Sequence, residues 1–221
     1  MRASHDLVVC FDLDDTLYKE INYVRSGYAE VARLMCDSDD AFAVMVNAGR
    51  RKINAFDAMK GVEPGFDIDK AVQIYRSHVP DIRLPKETRE LLESLQQRGI
   101  PMYIITDGRT VGQTNKYRSL GLDIYIPEKN LIISEVAGVD KHSPDNFLEV
   151  MHREGMTKRY VYVGDNPEKD FLHPNRLGWT TIMLRDAEGE NTHAQVGDFP
   201  QENYARYVVD NITDVEKLLL M

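Results

Sequence analysis

The sequence of 221 residues has only two cysteines, Cys10 and Cys36, and they form no Cys-x-x-Cys pair. Cys10 lies in an apolar run and Cys36 in a polar turn, so both are expected to be reduced thiols. The six histidines are scattered, and none forms the i, i+4 pair of a zinc-binding helix. The sequence therefore predicts neither a disulfide framework nor a zinc centre.

No segment approaches the roughly 18 consecutive apolar residues that a membrane-spanning helix requires. The N-terminal segment reaches acidic residues before the apolar region of a secretory signal is complete. The chain has 27 basic and 36 acidic residues, and the net charge of −9 argues against a nucleic-acid polymer as a partner. Without a spanning segment, no membrane partner is expected either. We therefore expect a globular cytoplasmic protein whose acidic excess suits a cation; its oligomeric state, monomer or homodimer, is left open.

Short apolar runs are typical of β-strands buried on both faces, because they are apolar on successive residues rather than on alternate ones. Four such runs occur at 7–11, 101–106, 158–164 and 180–184, and weaker ones at 130–134 and 205–210. The segments between them have helical patterns, at 88–98, 110–120, 143–154 and 212–220. This alternation predicts an α/β fold with a doubly wound parallel sheet.

One connection is much longer than the others. Between the first strand and the helix at 88, the sequence has no convincing strand but shows helical periodicity at 19–36, 39–60 and 67–78. Because a structureless loop of this length is implausible in a compact domain, we predict a small helical insert. The predicted division is an α/β core of residues 1–17 and 83–221, with the insert at 18–82.

Acidic residues follow the first predicted strand directly. Asp12 and Asp14 lie two residues apart, so in an extended segment they share a face, where their repulsion favours a bound cation. Taken alone, this pattern also suits a helix N-cap or a solvated loop. A calcium EF-hand is excluded because Leu17 and Tyr23 stand where glycine and glutamate are needed. No phosphate-binding P-loop motif is present.

Other strand ends carry polar residues of matching chemistry. The second strand ends at Thr106, followed by Asp107 and Gly108, and Asp165 follows the strand at 158–164, with Asp170 five residues later. Lys141 lies between these strands. Ligands of open α/β sheets bind beyond the carboxyl ends of the strands, so these groups are expected to converge.

This arrangement resembles the haloacid dehalogenase (HAD) superfamily over about residues 7–220. The four motifs of that family match Asp12-x-Asp14-x-Thr16, Thr106, Lys141 and Gly164-Asp165-x-x-x-x-Asp170, and the insert resembles its C1-type cap. Two departures occur: Asp107 stands where the family often has asparagine, and Lys141-His142-Ser143-Pro144 replaces Lys-Pro-x-Pro. Neither departure removes a catalytic group, but both bear on substrate contacts.

The resemblance implies a Mg²⁺-dependent phosphatase, because dehalogenases lack the second acid, here Asp14. Mg²⁺ is expected on Asp12, Asp165 and the backbone carbonyl of Asp14. Asp12 would attack phosphorus to form an aspartyl-phosphate, and Asp14 would protonate the leaving alkoxide. Phosphoryl oxygens are expected on Lys141, Thr106 and the Asp107 and Gly108 amides. Thr16 and Asp170 are supporting residues: Asp170 either orients Lys141 or metal-bound water, or caps a helix at 170–177.

The expected substrate is a small phosphorylated metabolite, a nucleotide monophosphate or a sugar phosphate. The polar residues of the insert that are candidates for substrate contact also suit a solvated helix face: Tyr18, Lys19, Asn22, Arg25, Arg51 and Asn54. Two alternatives stay open. One is a phosphomutase or phosphotransferase that uses the same Asp12, and the other is a non-catalytic ligand-binding regulator on this fold.

Overall fold

The computed structural model describes residues 6–36, 40–193 and 195–219. In this part of the chain, one sheet of six parallel strands has the order β3-β2-β1-β4-β5-β6. The strands are β1 (Leu7–Phe11), β2 (Met102–Thr106), β3 (Leu131–Ile133), β4 (Arg159–Gly164), β5 (Thr180–Leu184) and β6 (Tyr207–Val209). The predicted fold class is confirmed, and both weaker runs form short strands at the two edges of the sheet.

Helices lie between the strands. The long connection after β1 contains α1 (Glu20–Met35), α2 (Ala41–Arg50), α3 (Ala55–Val62) and α4 (Ile68–Ser77). The other helices are α5 (Lys86–Gln97), α6 (Thr110–Ser119), α7 (Ser134–Ala137), α8 (Asp145–Glu154), α9 (Leu172–Arg176) and α10 (Asp214–Leu219). None of the described helices is both long and apolar enough to cross a membrane.

The central strand β1 is fully buried and divides the core in two. Leu7, Val9 and Phe11 belong to the apolar cluster on one face of the sheet, and Val8 and Cys10 to the cluster on the other. Burial on both faces is the reason that the strand is apolar on successive residues. Burial also raises the pKa of the Cys10 thiol well above its usual value, as expected for an unreactive core cysteine.

The helices α1–α4 enclose an apolar cluster of their own, which includes Val31, Met45, Met59 and Ala71. The insert meets the core where the Asn115 side chain of α6 donates hydrogen bonds to the carbonyls that end α4. The division into residues 18–82 and a two-segment core stays a prediction, although the helices of the insert fall within the predicted range.

Some helix boundaries differ from those predicted. The predicted helix at 39–60 is two helices, because Lys52 has a left-handed backbone (φ 58°) and the Asn54 side chain accepts hydrogen bonds from the first amides of α3. Residue 39 and the predicted helix end at residue 220 lie outside the described residues. The helix α7 was not predicted because it contains only four residues, and α9, of five residues, lies within the range 170–177 given above for a helix that Asp170 would cap.

Candidate active site

The ends of the central strands bring the predicted acids together. Asp12 directly follows β1, and its amide extends the ladder by donating to the carbonyl of Val163 in β4 (2.8 Å). Asp165 directly follows β4, and Thr106 is the last residue of β2. Since β1 pairs with both β2 and β4, three strand ends meet at one edge of the sheet.

Lys141 is fully buried beneath these strand ends. Its ammonium donates to Asp12 Oδ1 at 2.8 Å, to Asp170 Oδ1 at 2.6 Å and to the Tyr162 hydroxyl at 3.3 Å. Burial opposes the charge, but the carboxylates of Asp12 and Asp170 outweigh it and raise the pKa of Lys141 well above its usual value. Lys141 is therefore a permanent cation, fixed beside Asp12.

Asp170 holds this lysine in place. Its Oδ2 accepts hydrogen bonds from the backbone amides of Asp165 (3.1 Å) and Asn166 (2.9 Å), and its Oδ1 accepts one from Lys141. No described amide of α9 donates to this side chain, so the structure shows the lysine-orienting contact rather than a helix cap. Both oxygens of Asp170 are thus occupied by protein donors.

Three buried carboxylates, those of Asp12, Asp165 and Asp170, have ligand atoms within 4.8 Å of one another. Burial, with Asp170 adding to it, raises the pKa of Asp12 to about 7 against the pull of Lys141. Burial, with Asp170 and Asp12, raises the pKa of Asp165 to about 9. Three carboxylates and one ammonium leave excess negative charge, and hard oxygen donors fit a divalent cation such as Mg²⁺. Because Asp170 is already occupied, Asp12 and Asp165 are the better ligands.

Asp14 has a different environment. Its two carboxylate oxygens accept hydrogen bonds from Lys116 Nζ at 2.8 and 2.7 Å, and it also accepts one from the Tyr18 hydroxyl (2.5 Å) and one from Gln113 Nε2 (3.1 Å). Burial opposes ionisation, but the Lys116 ammonium and these donors hold the pKa of Asp14 below its usual value. The two acids of the first motif therefore have separate lysine partners.

Lys116 and Gln113 were missed by the sequence reasoning. They lie three residues apart on α6, on a buried face, and both contact Asp14. A signal was present: helix 110–120 carries polar residues where the pattern of the other core helices is apolar, and it begins directly after the turn that follows Thr106. Lys116 also lies 3.8 Å from the Glu20 carboxylate and over the Tyr23 ring.

The loop after β2 contains the remaining predicted phosphate contacts. Thr106 is buried, and Asp107 accepts from the backbone amide of Lys141 (3.1 Å) and forms an ion pair with Lys169 (3.0 Å). Asp107, which stands where the family often has asparagine, thus pairs its negative charge with Lys169. Gly108 has a φ of 148°, and a Cβ there would lie 2.5 Å from Gln113 Nε2. Thr16 is buried, and its hydroxyl has no partner among the described residues.

A cavity of about 240 Å³ opens onto these groups. Its lining residues are Asp12, Asp14, Asp15, Glu20, Thr106, Asp107, Gly108, Gln113, Asp165, Asn166, Lys169 and His193. Among the lining residues, Glu20 alone comes from α1–α4. Burial first, and then Asp14, raise the pKa of Glu20 to about 7, although Lys116 opposes the shift. Lys141 lies behind Asp12 rather than on the cavity surface.

Most of the predicted contacts of the insert lie away from the cavity in this structure. Tyr18 reaches the site through Asp14, and Lys19 contacts Asp186 and Asn191. Four other candidates do not line the cavity: Asn22 and Arg25 border a larger open groove between α1 and residues 79–83, Arg51 directly follows α2, and Asn54 caps α3. None of Asp12, Asp14 and Asp165 lines that groove, so its greater volume does not make it the candidate active site.

The structure defines a parallel α/β core with a cluster of acids at its strand ends, and comparisons identify the family. The model of the haloacid dehalogenase-like hydrolases matches residues 7–172. The chain therefore belongs to the haloacid dehalogenase-like hydrolase family, which confirms the resemblance and the enzyme class predicted from the sequence.

The proteins that are similar to this chain are named for different reactions. The chain is 25% identical to a glyceraldehyde 3-phosphate phosphatase of Methanocaldococcus jannaschii, over 94% of each chain. It is 25% identical to a ribulose-1,5-bisphosphate 5-phosphatase of Halopiger xanaduensis, over 96% of this chain and 98% of the relative. The fold is also similar to that of a 2-haloacid dehalogenase from Pseudomonas syringae (TM-score 0.61, 23% identity, 97% and 98% covered). Fold alone thus does not separate dehalogenation from phosphate hydrolysis.

Proposed function

We propose that the chain is a Mg²⁺-dependent phosphatase that hydrolyses a small phosphorylated metabolite through an aspartyl-phosphate on Asp12. The proposal rests mainly on one observation. Asp12 and Asp14 line the same cavity, but each forms an ion pair with a different buried lysine, Asp12 with Lys141 and Asp14 with Lys116. A nucleophile and an acid–base group need such separate environments. Displacement of a halide needs no proton donor, so the second acid favours phosphate esters over haloacids.

The roles of the residues follow from their contacts. The Lys141 ammonium, 2.8 Å from Asp12, favours the ionised nucleophile and attracts the dianionic phosphoryl group. The Asp12 carboxylate attacks phosphorus and the bond to the leaving oxygen breaks. Asp14 passes to that oxygen a proton that it takes up from solvent when the dianionic phosphoryl group binds beside it. In the second step Asp14 accepts a proton from the attacking water, which releases phosphate and restores Asp12. Thr106 and the amides after it are assigned to the phosphoryl oxygens.

The metal ligands are proposed to be Asp12, Asp165 and the backbone carbonyl of Asp14. The support is the excess of buried carboxylate, since Asp12 and Asp165 are costly to ionise without a cation. A bound Mg²⁺ would supply neutralisation of phosphoryl charge. Asp170 is proposed as the residue that positions Lys141.

We also propose that the insert at 18–82 acts as a cap over the leaving group. The support is its own apolar cluster together with the position of Glu20, the first residue of α1, at the cavity. The names of the relatives support sugar phosphates as the substrate class. A cap that excludes water would keep the aspartyl-phosphate from premature side reactions.

The test is phosphate release from a panel of phosphorylated metabolites and p-nitrophenyl phosphate, with Mg²⁺ and after chelation by EDTA. Asp12→Asn should lower kcat by about 10³-fold or more, because the nucleophile and a metal ligand are lost together. Asp123→Asn, an exposed acid, is the matched control. Near-normal activity of a folded Asp12→Asn variant, full activity in chelated buffer, or an isomerised sugar phosphate as the product would each refute part of the proposal.

A further inference from the structure

The part of the cavity around Asp14 is here called the leaving-group wall and consists of Asp14, Glu20 and Gln113. Gln113 Nε2 donates to Asp14 Oδ2 at 3.1 Å, and Lys116 Nζ joins Asp14 to Glu20, at 2.7 and 3.8 Å. If Asp14 protonates the leaving oxygen, as proposed above, the alcohol portion of the substrate lies against this wall. The chemistry of the wall then decides which alcohols fit.

Among the described residues, the wall contains no cation that is free to pair with a substrate anion. Lys116 is 4% exposed, does not line the cavity, and is already shared between two carboxylates. Lys169 lines the cavity but is paired with Asp107 at 3.0 Å, and the remaining basic group of the lining is the exposed imidazole of His193. No arginine is among the described residues of the lining. A negatively charged leaving group would therefore face carboxylates without a compensating partner.

The wall does offer hydrogen-bond acceptors. Besides the carboxylates of Asp14 and Glu20, the buried Gln113 has an Oε1 with no partner among the described residues. A buried acceptor that lacks a donor is costly, and an alcohol hydroxyl is a donor of suitable size. The surroundings thus favour a hydroxylated leaving group over an apolar one.

The cavity also limits the size of the substrate. Its 240 Å³ must hold the phosphoryl group and the leaving alcohol together, and it lies below the roughly 300–1,000 Å³ typical of sites for drug-sized ligands. A nucleoside is a leaving group of drug-like size, whereas a polyol of a few carbons is much smaller. The volume therefore favours the sugar phosphate over the nucleotide monophosphate of the original expectation.

We propose that Glu20 is a specificity-determining residue that restricts this phosphatase to monoesters of compact, uncharged, hydroxylated alcohols of the glycerol or triose type. The inference rests on the proposed function and adds the charge and size of the leaving group. It separates the two kinds of relative: a triose phosphate has an uncharged leaving group, and a bisphosphate has an anionic one. At the effective dielectric of a protein site, the repulsion between the Glu20 carboxylate and a negative charge on the leaving group about 6 Å away would lower kcat/KM by about 100-fold relative to an uncharged leaving group.

Two matched substrate pairs test this at about pH 8, above the Glu20 pKa of about 7. Glyceraldehyde 3-phosphate and 3-phosphoglycerate differ by a carboxylate in place of an aldehyde, and the wild type should prefer the aldehyde by about 100-fold in kcat/KM. Glycerol 3-phosphate and n-propyl phosphate differ by two hydroxyls, and the polyol should be preferred by about 10-fold.

In the Glu20→Gln variant, the ratio of kcat/KM for glyceraldehyde 3-phosphate to that for 3-phosphoglycerate should fall by about 10-fold, chiefly because KM for 3-phosphoglycerate decreases. The exposed Glu188→Gln variant is the control and should keep the wild-type ratio. Equal wild-type rates on the aldehyde and the carboxylate, or a ratio unchanged by Glu20→Gln in a folded enzyme, would overturn the inference. In that case, hydrolysis of p-nitrophenyl phosphate would still support the proposed phosphatase activity. If no phosphate ester were hydrolysed, both the proposed function and the role of Glu20 would be refuted.

Discussion

Gly164, the last residue of β4, is the position at which a single methyl group should do most damage to the site. A Cβ there would lie 2.5 Å from Asp170 Oδ2, 2.9 Å from its Cγ and 3.1 Å from its Cβ. Asp170 cannot move away freely, because Lys141 and two backbone amides hold its oxygens. The Gly164→Ala change must therefore displace the side chain that positions Lys141.

The expected loss of stability is about 1–3 kcal/mol, the usual cost of overpacking, which lowers Tm by about 2–12 °C for a chain of this size. We also expect kcat to fall by about 10- to 100-fold, because a catalytic group displaced by about 1 Å loses much of its effect. Thermal unfolding followed by circular dichroism and phosphate release on one preparation measure both quantities.

Gly61→Ala is the matched control, since this glycine lies inside α3 and a Cβ there would meet nothing within 4 Å. Alanine stabilises a helix interior by about 0.5–1 kcal/mol relative to glycine, so Tm should rise by about 1–4 °C with kcat unchanged. The same chemical change thus has opposite predicted signs at Gly61 and Gly164. A Gly164→Ala enzyme with wild-type Tm and kcat would show that the contact with Asp170 is not tight.

Three further outcomes are expected. Lys116→Met should lower kcat on alkyl phosphates by about 10²-fold and on p-nitrophenyl phosphate much less, because Lys116 fixes the position of Asp14, the proposed proton donor, and p-nitrophenolate leaves without a proton; equal losses on both would contradict this. Asn54→Ala should lower Tm by about 2–4 °C through loss of the α3 cap, with kcat/KM unchanged for every substrate; a loss confined to one substrate would instead make Asn54 a binding residue. Finally, the increase in Tm caused by Mg²⁺ should grow between about pH 5 and pH 9, because burial raises the pKa values of Asp12 and Asp165 to about 7 and about 9. Without metal, the raised pKa values mean that the folded state favours the protonated acids. Their contribution to stability is therefore complete below the ordinary pKa of 3.8 and is lost as pH rises through 7 and 9, and a bound cation offsets this loss. An increase in Tm that is independent of pH would count against the assignment.

The sheet was predictable because the burial of its strands is visible in the sequence as runs of apolar residues. Val8, Val9 and Cys10 are apolar in succession, as is typical of a strand covered on both faces, and the first acids directly follow that strand. The convergence of Asp12 and Asp165 then follows from parallel strands with a common carboxyl edge. Local pattern and general topology together were enough for the fold and for the acids at the strand ends.

The second layer of the site was not predictable in this way. The polar pattern of helix 110–120 distinguishes it from the other core helices, but the partner of Lys116 and Gln113 is defined only when α6 packs against Asp14, about a hundred positions earlier in the chain. The same holds for Glu20, which resembles any acidic residue in the first turn of a helix. Side-chain partners across such distances depend on packing angles and rotamers that no local periodicity encodes.

The order of the strands along the chain has a consequence for folding during synthesis. The helices of the insert find their packing partners close by in sequence, so their cluster can assemble early. The central strand β1 is made first but pairs with β2 and β4, and β4 ends only at Gly164. A nascent chain shorter than this has Asp12 but not Asp165 or Asp170, and its β1 has one open side. The cluster of acids at the strand ends is thus completed late in translation, after the helices of the insert.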